Sequence, residues 1–239
     1  MKRIALLFGN SNGLSGVKVD LFKYFKFLTS DFGGQWFESE ISIVMNPSRK
    51  ELLYKIQDMK NEKPDYAFVA YSGHGAYSRQ TYLEINKSGE FVTESELKGI
   101  ASRQVSIFDC CRNVTVLPIM DNKSYTGALQ AYSHISIRKK YDDRIMSAII
   151  QQVSLYSCSI DESSYETNDG GIYTNCLLSS VNPSSEQYKL ISDAQEEARP
   201  KTQEEAKRIY SMSQTPDQVL PRCLTCQQLI ISINPNYCI

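Results

Sequence analysis

Two short turns in this chain carry the residues that could do chemistry. Tyr71-Ser72-Gly73-His74-Gly75 closes one apolar run, and one of only two histidines in the chain sits there between glycines. Phe108-Asp109-Cys110-Cys111-Arg112-Asn113 closes another. An imidazole beside a thiol takes its proton and leaves a thiolate, the nucleophile of covalent catalysis. Flanking glycines let the backbone turn sharply and let a second group approach. Each motif alone has a plainer alternative: a tight turn that contains a histidine, or small buried cysteines, which most free cysteines are. Their joint placement favours catalysis.

The elements around these turns must bring them together. Short apolar runs alternate with segments of helical period, the pattern of βαβ units and an α/β fold. Strands are expected at Ile4 to Phe8, Ile41 to Val44, Tyr66 to Tyr71, Val105 to Phe108, Val153 to Ser157 and Leu229 to Ile233. Val17, Leu21, Tyr24, Phe25 and Leu28 share one helical face, as do Ile137, Tyr141, Ile145, Ala148 and Ile149. Ser48 with Glu51, and Thr93 with Glu96, have capping-box spacing ahead of further helices. Another helix is expected from Tyr173 to Val181, and the charged stretch from Ser184 to Gln218 reads as partly helical and mostly solvated. The expected architecture is a six-stranded, mainly parallel sheet with helices on both faces, in one domain over residues 1–239. Functional residues of such sheets gather beyond the carboxyl ends of the strands, where His74 and Cys111 stand. Strand spacing of about 5 Å brings the two within reach if their strands are neighbours.

These motifs resemble the caspase-like cysteine peptidases, and among them most closely the metacaspases and their prokaryotic relatives. The likeness runs along nearly the whole chain. Ala5-Leu6-Leu7-Phe8-Gly9-Asn10-Ser11-Asn12 resembles the family's first strand and loop, and Leu155-Tyr156-Ser157-Cys158-Ser159 its fifth strand. Gly170-Gly171-Ile172-Tyr173-Thr174 is similar to the start of the following helix, and Ser213-Gln214-Thr215-Pro216 to the stretch before the last strand. The resemblance implies a caspase-like fold with Cys111 as nucleophile and His74 as general base. It also implies an oxyanion hole from the backbone N–H groups of Gly75 and Cys111. Cys110 should then point to the other face of the sheet. Where the family has glycine in the nucleophile turn, this chain has Arg112-Asn113, and asparagine tolerates left-handed backbone angles. The His74-to-Cys111 spacing is shorter than in caspases, which a shortened surface loop would account for.

By the same resemblance, caspases cut after aspartate and metacaspases after Arg or Lys. Asp109 matches the metacaspase acid, and Glu166 falls near the second specificity position; its alternative is a solvated loop acid. Two carboxylates in one pocket suit a guanidinium, so cleavage after Arg or Lys is expected. The competing reading is a weak or inactive member of the fold that serves as a regulatory or binding module.

Other signals weigh less. Cys223-x-x-Cys226 has zinc-ligand spacing without a second pair, so no metal or other cofactor is expected. Asp161, Glu162 and Asp169 leave calcium activation open without a demanding ligand pattern. Arg138-Lys139-Lys140 reads as an exposed first helical turn, with self-cleavage as its alternative, and His134 as an exposed loop residue. Gly9 to Gly16 lacks the Gly-Lys-Ser/Thr of a phosphate loop.

The 26 basic and 27 acidic residues nearly cancel, to a net charge of -1, so no global field recruits nucleic acid or an anionic membrane. No apolar run is long enough to span a bilayer. Seven cysteines, an odd number, without an export signal suggest reduced thiols and a cytoplasmic protein. A protein substrate is implied, and a separate activating partner protein is expected because no recruitment segment accompanies the motifs.

Overall fold

The computed structural model describes residues 1–115 and 137–237. His134 and Cys238 lie outside the described residues, as does most of the polar stretch before Ile137. Thirteen strands and six α-helices follow one another among the described residues. In chain order they are β1 (Arg3–Gly9), α1 (Val17–Thr29), β2 (Ile41–Met45), α2 (Arg49–Asn61) and β3 (Tyr66–Ser72). A small antiparallel meander comes next: β4 (Gly75–Ser78), β5 (Gln80–Glu84) and β6 (Phe91–Thr93). Then come α3 (Glu94–Leu97), β7 (Arg103–Asp109), α4 (Ile137–Ser147), β8 (Gln151–Tyr156), β9 (Glu166–Thr167), β10 (Gly170–Gly171) and α5 (Ile172–Ser179). The chain ends with β11 (Tyr188–Leu190), α6 (Ile191–Tyr210), β12 (Asp217–Val219) and β13 (Ile230–Ile233).

The main sheet has six strands in the order β12-β8-β7-β3-β1-β2, all parallel except β12. Its central strands are buried end to end because both faces are covered. Side chains alternate between two cores. Ala5, Leu7, Phe68, Ala70, Ile107 and Leu155 face α1, α4, α5 and α6. Ile4, Leu6, Phe8, Val69, Tyr71 and Phe108 face α2, α3 and the meander. Both expected capping boxes form: Ser48 N–H donates to Glu51 Oε2 at 2.8 Å and Thr93 N–H to Glu96 Oε2 at 2.7 Å.

Six mainly parallel strands are present as expected, but the sixth differs from the expected one. The apolar run at Leu229 to Ile233 forms β13, which pairs with β11 in a separate antiparallel ribbon. The sheet is completed by β12, three residues with no apolar run, antiparallel to β8. The charged region is more ordered than its composition suggests. Most of it is α6, which buries Ile191, Ala194, Ala198 and Ala206 as a stripe of mainly small residues at helical spacing.

Arg138 departs from the expected exposed turn. Its guanidinium bonds the Gln35 carbonyl and Glu40 and lies 4.0 Å from the Phe37 ring centroid. Lys139 and Lys140 are exposed. Among the described residues, no helix is long and apolar enough to cross a membrane.

Candidate active site

His74 and Cys111 leave the same rim of the sheet from adjacent strands. β3 and β7 pair in register up to Ser72 opposite Asp109, and the ladder extends one bond further, Gly73 N–H to the Asp109 carbonyl at 3.1 Å. The glycines around His74 are both required. Gly73 has φ +153°, and a Cβ there would sit 2.5 Å from the Tyr71 hydroxyl. At Gly75 a Cβ would come within 2.6 Å of Cys110 Sγ and 2.8 Å of the Cys111 carbonyl oxygen. The histidine turn therefore lies directly against the cysteine turn.

His74 is held at both ends. Its carbonyl accepts from the Tyr71 hydroxyl at 2.7 Å and from Glu84 N–H at 3.0 Å. Its ring Nε2 is 2.7 Å from the Asn12 carbonyl oxygen. A carbonyl oxygen only accepts, so Nε2 carries the hydrogen and Nδ1 is left with the free lone pair of a base. Asn12 contributes through its backbone, for which the sequence offers no side-chain signal.

Cys111 is partly exposed, whereas Cys110 is buried in the core beneath α2 and α3, with its thiol pushed far up by burial. The Cys111 thiol meets the backbone of Ser164: its Sγ accepts from Ser164 N–H at 3.4 Å and donates to the Ser164 carbonyl at 3.7 Å. In this state the thiol's hydrogen-bond partner is thus Ser164 rather than the imidazole. The turn that follows is clamped on two sides. Arg112 N–H donates to the Glu162 carbonyl and Asp161 N–H to the Arg112 carbonyl, both at 3.0 Å. Beyond it, Asn113 and Thr115 pair with Tyr77 at 2.9 Å each, a single β-bridge that ties the end of the nucleophile turn to β4. No left-handed angle occurs at Asn113; in this clamp it is Asp161 that is left-handed, φ 66°. The Arg112 guanidinium is buried, 3.9 Å from the Tyr156 ring centroid, and bonds the Cys158 carbonyl.

Asp109, the last residue of β7, is 5% exposed and shares Ser164 as a partner with the thiol. Its carboxylate accepts from Ser164 Oγ, Thr174 Oγ1 and Thr174 N–H at 2.7, 2.7 and 3.1 Å. A second buried acid, Asp20 of α1, stands nearby and accepts from Ser72 Oγ at 2.6 Å and Gly171 N–H at 2.8 Å. Gly171 separates the pair, because a Cβ there would run into Asp109 and lie 3.3 Å from Asp20. Burial first, and then the charge of Asp109, push Asp20 up to about 8; burial raises Asp109 as well. Asp20 was legible in principle, as an acid on the stripe of Val17, Leu21 and Tyr24 that α1 turns inward.

Glu166 does not bond Asp109. It clamps the start of α1, accepting from Ser15 N–H at 3.0 Å and Gly16 N–H at 3.1 Å, and its charge adds to the upward push on Asp20. It is therefore neither a solvated loop acid nor a direct partner of Asp109. Of the acids weighed for calcium, Glu162 bonds Thr215 and Ser159 and Asp161 bonds Val114 N–H, while Asp169 is exposed and takes part through its backbone carbonyl, with Lys23 and Asn175. Among the described residues, no group of three or more His, Cys, Asp or Glu side chains could hold a metal.

The caspase domain model matches residues 2–220. The chain belongs to the caspase-domain family, whose members are cysteine peptidases that act on protein substrates. Among solved structures it is similar to caspase-1 from Spodoptera frugiperda, with a TM-score of 0.63 and 14% identity over 99% of this chain and 92% of that one. Identity that low speaks to the fold alone. No curated protein sequence matches the chain.

Proposed function

We propose that this chain is an active cysteine endopeptidase, one peptidase domain with a Cys111–His74 dyad, and that it cuts after Arg or Lys in the manner of metacaspases. The observation that carries the reading is the contact of the two turns at Gly75, on neighbouring strands, with the imidazole already tied to Asn12.

The chemistry follows from that arrangement. A substrate carbonyl enters between the two groups and the thiol turns from Ser164 toward it. His74 Nδ1 takes the thiol proton as sulfur attacks the carbonyl carbon. The backbone N–H groups of Gly75 and Cys111 are the candidates to hold the oxyanion, a large electrostatic contribution in general. His74 then gives the proton to the leaving amine as the C–N bond breaks. Water hydrolyses the thioester, with Nδ1 as base again.

Asp109 and Asp20, with Glu166 behind them, are the groups we assign to a basic residue before the scissile bond. A guanidinium between the two acids favours their ionised forms. Binding of Arg therefore expels the proton that Asp20 otherwise keeps up to about 8, and affinity rises with pH toward that value. A panel of fluorogenic peptides ending in Arg, Lys or Asp tests this. Arg and Lys peptides should be cut by wild type and not by Cys111→Ala. Cleavage after Asp alone would refute the assignment.

A further inference from the structure

The strand order gives the rim of the sheet a direction. Going from β8 to β2, the rim carries in turn Ser164, Cys111, His74, Asn12 and Asn46, each from the loop beyond its strand. Of the acids assigned to the substrate side chain, Asp109 ends the strand that carries Cys111, and Asp20 and Glu166 meet the row from the α1 face of the sheet, at Ser72 and at Ser15 and Gly16. On the far side of His74, a cleft of about 520 Å³ opens between the loops after β1 and β2 and the turn joining β5 to β6. Its lining includes Asn12, Asn46, Asn86, Lys87, Ser88 and Glu90.

We propose that this cleft receives the part of the substrate that follows the scissile bond, and that Lys87 selects acidic residues there. The inference rests on the peptidase reading above. In that reaction the group that receives a proton from His74 is the leaving amine, so the leaving chain departs on the histidine side of the thiol. Asn12, the residue whose carbonyl holds the imidazole, also lines the cleft. Its size falls in the range of ligand sites, about 300–1,000 Å³.

The lining is set in place before any ligand arrives. Asn46 Oδ1 accepts from Ser11 N–H at 2.8 Å, and Asn86 Nδ2 donates to the Pro47 carbonyl at 2.7 Å. The Glu90 carboxylate is engaged by Asn86 Nδ2 at 2.6 Å and Arg49 N–H at 3.3 Å. Lys87 is exposed and has no partner among the described residues. The Glu90 charge is tied into the wall by amide donors, so Lys87 is the charged group of this lining whose hydrogen-bonding capacity stands open to an acidic side chain of the departing peptide.

Two peptides that share an Arg cleavage site and carry either Asp or Lys just after it, mixed in one tube, read the preference directly. Wild type should cut the Asp peptide about two- to fivefold faster, the size of one exposed ion pair, with the ratio shrinking as salt is added. Lys87→Glu should reverse the ratio, and Lys207→Glu, on the exposed face of α6, should keep it. An equal rate for both peptides in wild type, or a ratio unmoved by Lys87→Glu, overturns this inference and leaves the peptidase reading standing. Failure of wild type to cut either peptide overturns both.

Discussion

Asp20 illustrates how a single residue changes the chemistry expected of this site. A carboxyl group that titrates near 8 in the folded chain and near 3.9 in the unfolded one makes the native state the stronger proton binder. Stability contributed by this group is complete below about 4 and is lost as pH rises toward 8. Asp109, also raised by burial, acts in the same sense. Urea unfolding of the free protein should therefore show stability falling across that window. Asp20→Asn should flatten the slope, be more stable than wild type at pH 8, and lose activity on Arg peptides. A wild-type profile that is flat from pH 4 to 8 would contradict the raised value. The same residue marks what the sequence could tell. An acid on a buried helical stripe is a visible anomaly, whereas the Asn12 carbonyl has no side-chain trace and emerges only when the turns are folded.

The legibility of elements follows how their side chains are buried. Central strands, covered on both faces, read as apolar runs, so β1, β3, β7 and β8 were expected within a few residues of their bounds. The meander was not, although Thr81, Leu83 and Ile85 alternate inward as a half-buried strand should. Edge strand β12 carries no apolar run, and the run that resembled a sixth strand pairs elsewhere. The meander is not peripheral: β4 begins at Gly75 and bonds the nucleophile turn through Tyr77. Gly75→Ala therefore forces apart two elements rather than filling one gap. We expect it to destabilise the fold by roughly 1–3 kcal/mol, the usual cost of overpacking, and to lower kcat more than it raises KM. A Gly75→Ala protein with wild-type stability and turnover would mean that the two turns do not press on each other.

At the scale of the whole molecule, the sheet is a rail that carries its loops to one rim in a fixed order. Two cores, one on each face, hold that order, and the nearly balanced charge leaves selection of partners to local groups such as Lys87 and the Asp20–Asp109 pair. The family match covers residues 2–220 and so includes every residue assigned a part in the chemistry. Its central requirement is that the thiol at 111 reacts because the imidazole at 74 serves it. A peptide chloromethyl ketone ending in Arg, followed by mass mapping of the labelled residue, measures this most directly. Stoichiometric labelling of Cys111 is expected, at a rate at least a hundredfold lower in His74→Ala (roughly the general-base contribution) and absent in Cys111→Ala. Labelling spread over the other cysteines, or a rate at Cys111 indifferent to His74→Ala, would contradict it.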